Sequence, residues 1–183
     1  MSDKKPTILY LIRHAQSVGN LSVEKGLEYP AETEFGSDLS ELGEQQALEL
    51  ANELSNIPFD ALYSSHLHRA EKTAQALAHR KNLTLTIVRD LQEADPRTEN
   101  GEIARDRFVS AVNELIRNHE GQTIAVVAHG FVIRTFLNHL GHEGFEAFDI
   151  GTIDNTGYLH FEVSEDVFRV IKTKGLHPGK RKE

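Results

Sequence analysis

Two short runs of almost uninterrupted apolar residues, Thr7–Ile12 and Thr123–Ala128, constrain this chain more than any other feature of its sequence. A strand that is apolar on both faces must be covered on both, which is the position of an inner strand in a parallel sheet flanked by helices. The intervening sequence supplies such helices. Ser40 is a good N-cap for a helix to about Ser55, with Ala47, Leu50, Ala51 and Leu54 at helical spacing and Pro58 beyond its end. A short strand at Ala61–Ser64 leads into a second helix striped by Ala70, Thr73, Ala74, Leu77 and Ala78. Leu83–Val88 reads as a strand, Phe108, Val112, Leu115 and Ile116 mark a third helix, and Gly130 opens a short one over Phe131–Leu140. Gly157–Val163 and Val167–Thr173 flank Ser164-Glu165-Asp166 as a hairpin. Residues 17–39 show no periodicity and read as a long loop. The expectation is an α/β fold with a doubly wound, mostly parallel sheet. It forms a single domain over residues 1–183, with a core at 6–174 and a disordered tail at 175–183.

Composition removes several kinds of chemistry. The chain has no cysteine, so disulfides, thiol catalysis and cysteine-held metals are out of reach. A net charge of −8 argues against a broad nucleic-acid face. No apolar stretch approaches the roughly 20 residues needed to span a bilayer, so no membrane partner is expected and the cytoplasm is the default compartment. His66 and His68 stand two apart but have no evident third ligand, and neither a metal nor an organic cofactor is expected. Phosphate-loop, dinucleotide-binding and Gly-x-Ser-x-Gly motifs are absent.

In open α/β sheets ligands bind beyond the carboxyl ends of the strands. That rule selects Arg13-His14 after the first predicted strand, Ser64 to Arg69 after the second, Leu91-Gln92-Glu93 after the third, and His129-Gly130 after the fourth. Two histidines, two arginines and a carboxylate therefore converge on one rim. An arginine at the end of a buried strand needs an anion, and its planar fork of donors matches phosphate or carboxylate.

Four segments, three of which contain rim residues, also carry a resemblance. Leu11-Ile12-Arg13-His14-Ala15-Gln16-Ser17, Asp38 to Ala47, Tyr63 to Ala74, and Val126 to Arg134 occur in the order in which similar blocks occur in the histidine phosphatase superfamily, the phosphoglycerate mutase-like proteins. The resemblance spans about residues 7 to 173 and implies a three-layer α/β/α sandwich. It also implies that His14 is the nucleophile for a phosphoryl group and that Arg13, Arg69 and His129 form the phosphate pocket, with Gly130 beside them. Asn20 falls where many relatives place a phosphate-contacting asparagine. Glu93 matches the position of the acid that protonates the leaving group, with Asp95 as the nearest rival. Arg134 reads as a structural ion-pair member, and His142 as a surface residue.

The chain departs from the family in two places. The loop after His14 is divergent, and the stretch after Glu93 lacks the tryptophan-containing segment of many small-molecule phosphatases. Only about 35 residues separate Glu93 from His129, which leaves a short cap. A short cap and open site point to a phosphatase acting on a phosphorylated small molecule or phosphoprotein, rather than to a mutase that must retain its intermediate. A protein phosphohistidine phosphatase and a non-catalytic phospholigand-binding domain are the alternatives. The sequence leaves the oligomeric state open.

Overall fold

A computed structural model describes residues 5–27, 37–141 and 150–179. In chain order the elements are β1 (Thr7–Arg13), α1 (Val18–Glu24), α2 (Glu41–Glu53), β2 (Ala61–Ser64), α3 (His68–Lys81), β3 (Leu85–Ile87), a 3-10 turn (Arg89–Leu91), α4 (Gly101–Asn118), β4 (Thr123–Ala128), α5 (Gly130–Gly141), β5 (Ile150–Ser164) and β6 (Val167–Pro178). The strands form one sheet in the order β3-β2-β4-β1-β5-β6. Pairing is parallel from β3 through β1 and antiparallel from β1 through β5 to β6. The expected α/β sandwich is therefore present, with a mixed sheet: the hairpin at the end of the chain turns its outer third antiparallel.

The two apolar runs lie side by side, β1 against β4 in parallel register from Ile8↔Thr123 to Arg13↔Ala128. Because successive side chains point to opposite faces, each strand feeds two cores. Leu9, Leu11, Ile124, Val126 and Ala128 join one with Phe108, Val112, Ile133 and Phe136 of α4 and α5. Tyr10, Ile12, Ala125 and Val127 join the other with Leu50, Ala51, Ala70, Ala74 and Leu77 of α2 and α3. Each of the large aliphatic side chains contributes about 2 kcal/mol by leaving water. Both cores converge on β1 and β4, so the ends of these two strands, where Arg13-His14 and His129 stand, are the most firmly held points of the rim.

Three local expectations need correction. Residues 17–39 are not all loop, because α1 occupies Val18–Glu24. It is opened by a capping box in which Ser17 Oγ accepts from Asn20 N–H at 3.1 Å and Asn20 Oδ1 accepts from Ser17 N–H at 3.2 Å. Seven residues are too few for helical periodicity to register, and Asn rather than Glu or Gln fills the third position of the box. Residues 28–36, from the same predicted loop, lie outside the described residues, as do residues 180–183 of the predicted tail and His142. The tail does not start at 175: β6 continues to Pro178, pairing His177 with Thr152 and Pro178 with Ile150. Gly175 takes a left-handed backbone (φ +66) within it, and Pro178 is tolerated because β6 is an edge strand. The hairpin is accordingly longer than predicted on both sides.

Helix α2 begins where expected, with Ser40 Oγ accepting from Gly43 N–H at 3.0 Å. Ser40 N–H and Oγ also bond to the Gln16 carbonyl, which ties this helix start to the segment just after His14. A Cβ built on Gly43 would lie 1.9 Å from the Gln16 carbonyl oxygen. Gly43→Ala is expected to lower the free energy of unfolding by about 2 kcal/mol or more. An unchanged urea midpoint would show that the segment after His14 yields without cost. Among the described residues no helix is long and apolar enough to cross a membrane.

Candidate active site

The carboxyl ends of β1 and β4 open into a cavity of about 580 Å³ lined by Arg13, His14, Asn20, Arg69, Glu93 and Gly130, among others. Six of the seven sequence-predicted site residues thus share one lining. The seventh, His129, is fully buried beside it, its ring centroid 5.1 Å from that of His14.

His14 follows the last residue of β1, and its N–H donates to the Ala128 carbonyl at 3.0 Å, so the backbone of β4 fixes where the ring begins. Its Nδ1 lies 2.6 Å from the Ala15 carbonyl oxygen. A carbonyl only accepts, so Nδ1 carries the proton and Nε2 keeps its lone pair. Nε2 in turn accepts from Arg69 Nε at 3.2 Å. Burial, then Arg69 and Arg13, hold the His14 imidazole well below its ordinary range, so the ring is neutral near pH 7.

Arg69 is the second residue of α3 and is only 5% exposed. Thr73 Oγ1 donates to the Arg69 carbonyl at 2.7 Å and accepts from Ala15 N–H at 3.0 Å, which couples α3 to the His14 segment. Arg13 donates through Nη1 to the Ile153 carbonyl, while its Nε is buried without a partner. A Cβ on Gly130 would approach Arg13 Nε to 3.2 Å, so a glycine at the start of α5 lets the guanidinium lie across it.

His129 is held by Ser65, whose Oγ lies 2.9 Å from Nε2. The same oxygen accepts from Leu67 N–H at 3.2 Å. The hydroxyl proton is free to point at His129 Nε2, and with that bond made the imidazole proton lies on Nδ1. That nitrogen is buried without a partner, and with the proton there it is a donor suited to an oxyanion. Burial and the neighbouring Arg69 and His14 also keep this imidazole well below its ordinary range.

Glu93 sits at the N-terminus of α5. Its Oε2 accepts from Phe131 N–H at 3.1 Å, and Oε1 from Val132 at 3.2 Å and Ala94 at 3.0 Å. These bonds favour the carboxylate, yet burial outweighs them and raises its pKa. Oε1 is filled by two donors, so Oε2 has the lone pair on which a proton can reside. Asp95, the rival acid, also lines the cavity but pairs with Arg97 at 2.9 Å, which holds its carboxyl below the usual range. A group kept ionised is poorly suited to donate a proton.

Asn20 lines the cavity, but its Oδ1 is engaged with Ser17 and, at 3.3 Å, with Asn155 Nδ2. Asn155 Nδ2 also donates to the His14 carbonyl at 3.1 Å, and Thr156 N–H does so at 3.3 Å. Sequence reasoning missed this support from β5, as it missed Ser65. It also assigned Arg134 to an ion pair. Instead the Arg134 guanidinium lies 5.3 Å over the Phe131 ring, donates to the Gly151 carbonyl at 3.4 Å and lines the cavity. Its i, i+4 spacing from Gly130 on a helix entering the rim was the available signal.

The chain is similar to proteins already known. The sequence profile of the histidine phosphatase superfamily (branch 1) matches residues 9–99 and 94–174. Phosphoserine phosphatase 1 of Hydrogenobacter thermophilus is 29% identical over 194 residues, spanning 87% of this chain and 89% of that protein. The crystal structure of phosphoglycerate mutase from Bacillus anthracis has the same fold, with a TM-score of 0.78 at 20% identity over 94% of each chain. So does a phosphoserine phosphatase variant from Entamoeba histolytica in complex with phosphoserine, with a TM-score of 0.70 at 22% identity over 91% of this chain and 96% of that one.

Proposed function

The chain belongs to the histidine phosphatase superfamily, and on that premise we propose that it hydrolyses small phosphomonoesters through a phosphohistidine formed on His14. The observation that carries this reading is the neutral His14 ring, with Nδ1 bonded to the Ala15 carbonyl and Nε2 left as a lone-pair donor among arginines. Its kinship with phosphoserine phosphatase 1 of Hydrogenobacter thermophilus supports a small-molecule substrate.

In the first step His14 Nε2 attacks phosphorus while the bond to the ester oxygen breaks, and Glu93 delivers a proton to that oxygen as it leaves. The imidazole keeps its Nδ1 proton, and the Ala15 carbonyl stabilises the positive charge the ring acquires. Arg13, Arg69 and the Nδ1–H of His129 meet the phosphoryl oxygens, where most of the catalytic work in phosphoryl transfer lies. In the second step Glu93, now a carboxylate, takes a proton from water as its oxygen attacks phosphorus. The N–P bond breaks and phosphate leaves. A buried acid at this point favours an alkyl phosphate ester, whose leaving group needs a proton, over phosphohistidine.

Quenching a reaction with labelled substrate in alkali tests the intermediate: phosphate is expected on the protein in a bond stable to base and labile to acid. Protein free of label under conditions where turnover is rapid would count against covalent catalysis. The support of His129 by Ser65 has its own test. Ser65→Ala is expected to weaken inhibition by inorganic phosphate about ten-fold, because the charge-assisted bond from Nδ1–H is no longer enforced. Inhibition equal to that of the native chain would show that His129 needs no such partner.

A further inference from the structure

Resting on the phosphatase reading, we propose that Arg134 is a second anion-binding group of the cavity and that the substrate is a phosphomonoester that also carries a carboxylate. Several arginines meet acids: Arg97, Arg105, Arg107 and Arg169 pair with Asp95, Asp106, Glu99 and Glu162. Arg134 is placed differently. It is half-buried in the cavity wall, and among the described residues no carboxylate lies within ion-pair distance of it. The two acids that share the lining are otherwise committed, Glu93 to backbone N–H groups of α5 and Asp95 to Arg97.

What holds the Arg134 guanidinium is an aromatic face and one long bond. It stacks 5.3 Å over the Phe131 ring and reaches the Gly151 carbonyl at 3.4 Å. Stacking restrains the plane of the guanidinium while leaving N–H donors at its edge, a preorganised receptor for a planar anion. The Phe131 ring is fixed in turn against Gly101, where a Cβ would meet Cζ at 3.1 Å. Arg13 and Arg69 already serve the phosphoryl group beside His14, so Arg134 addresses a different part of the substrate. A single fork of donors matches a carboxylate, whereas a second phosphate dianion would call for more cations than this wall provides.

Unreactive phosphonates separate this proposal from the chemistry. Calorimetric titration compares 3-phosphonopropionate, which has a carboxylate, with propylphosphonate, which lacks it. The native chain is expected to bind the first about ten-fold more tightly or better. Arg134→Gln should reduce that ratio to about two or less, while Arg134→Lys, which keeps the charge without the fork, should retain part of it. Equal binding of both ligands by the native chain, or a preference that survives in Arg134→Gln, would overturn the proposal. Because phosphonates are bound and not turned over, this outcome is independent of catalysis. Absence of para-nitrophenyl phosphate hydrolysis by the native chain would instead remove the phosphatase reading.

Discussion

Replacing His14 by alanine is expected to reduce hydrolysis of para-nitrophenyl phosphate about ten-thousand-fold or more, while a metal chelator leaves the native rate unchanged. The size follows from what is lost. Without Nε2 no atom of the protein is placed to accept the phosphoryl group, and water would have to attack unassisted within a pocket shaped for a different nucleophile. The pocket itself should survive. Arg13 is anchored to Ile153 and His129 to Ser65, neither through the His14 ring, and Arg69 loses its bond to Nε2 but stays in place on α3. The variant should therefore still bind inorganic phosphate, and the loss should appear in kcat with little change in the apparent affinity. A His14→Ala chain that retained a tenth of the native rate would point to another nucleophile. A native chain that turned nothing over but bound phosphate would be a phospholigand-binding domain.

Glu93→Gln is expected to lower kcat/KM for alkyl phosphates by about two to four orders of magnitude and for aryl phosphates far less. An aryl oxide leaves without help, whereas an alkoxide must be protonated as the bond breaks. The same substitution should change the pH profile. The competent state has His14 neutral and Glu93 protonated. Activity therefore falls at low pH as His14 gains a proton, and at high pH as Glu93 loses one. Burial pushes His14 down and Glu93 up from their ordinary ranges, so both limbs move in the direction that populates the competent state. A bound phosphoryl dianion raises Glu93 further, so the alkaline limb of kcat should lie above that of kcat/KM. In Glu93→Gln the alkaline limb should vanish and the acid limb remain. If the alkaline limb persisted unshifted, the proton would have to come from elsewhere, with Asp95 first in line.

The parts of this site that were legible in the sequence are those tied to the ends of strands. Arg13, His14 and His129 are adjacent to the two apolar runs, and a strand with no charged residue before such a pair leaves few other interpretations. Arg69 and Glu93 were located by the same rule applied to weaker strands. What escaped was structure made by the main chain or by pairs without sequence periodicity. The carbonyls of Ala15 and Ile153, which fix the His14 tautomer and anchor Arg13, leave no mark on residue identity. The role of Ser65 depends on a neighbour 64 positions away. Arg134 was read as an ion-pair member, but among the described residues it has no acid partner, and sequence does not reveal that Phe131 supplies an aromatic face. Asn20 lines the cavity, yet its carbonyl oxygen serves the cap of α1 and the link to Asn155.

The order of the sheet also bears on how the protein comes into being. The strand carrying Arg13 is made well before its partners on either side, β4 and β5. At roughly 5–20 residues per second on the ribosome, β1 waits many seconds before either edge can be paired. The bonds that Ile153, Asn155 and Thr156 make to Arg13 and His14 come later still. A nascent chain thus leaves β1 unpaired until β4 and β5 emerge, and a product interrupted before β5 would carry Arg13 and His14 without those bonds. The surroundings of His14 are complete only once β5 has been made.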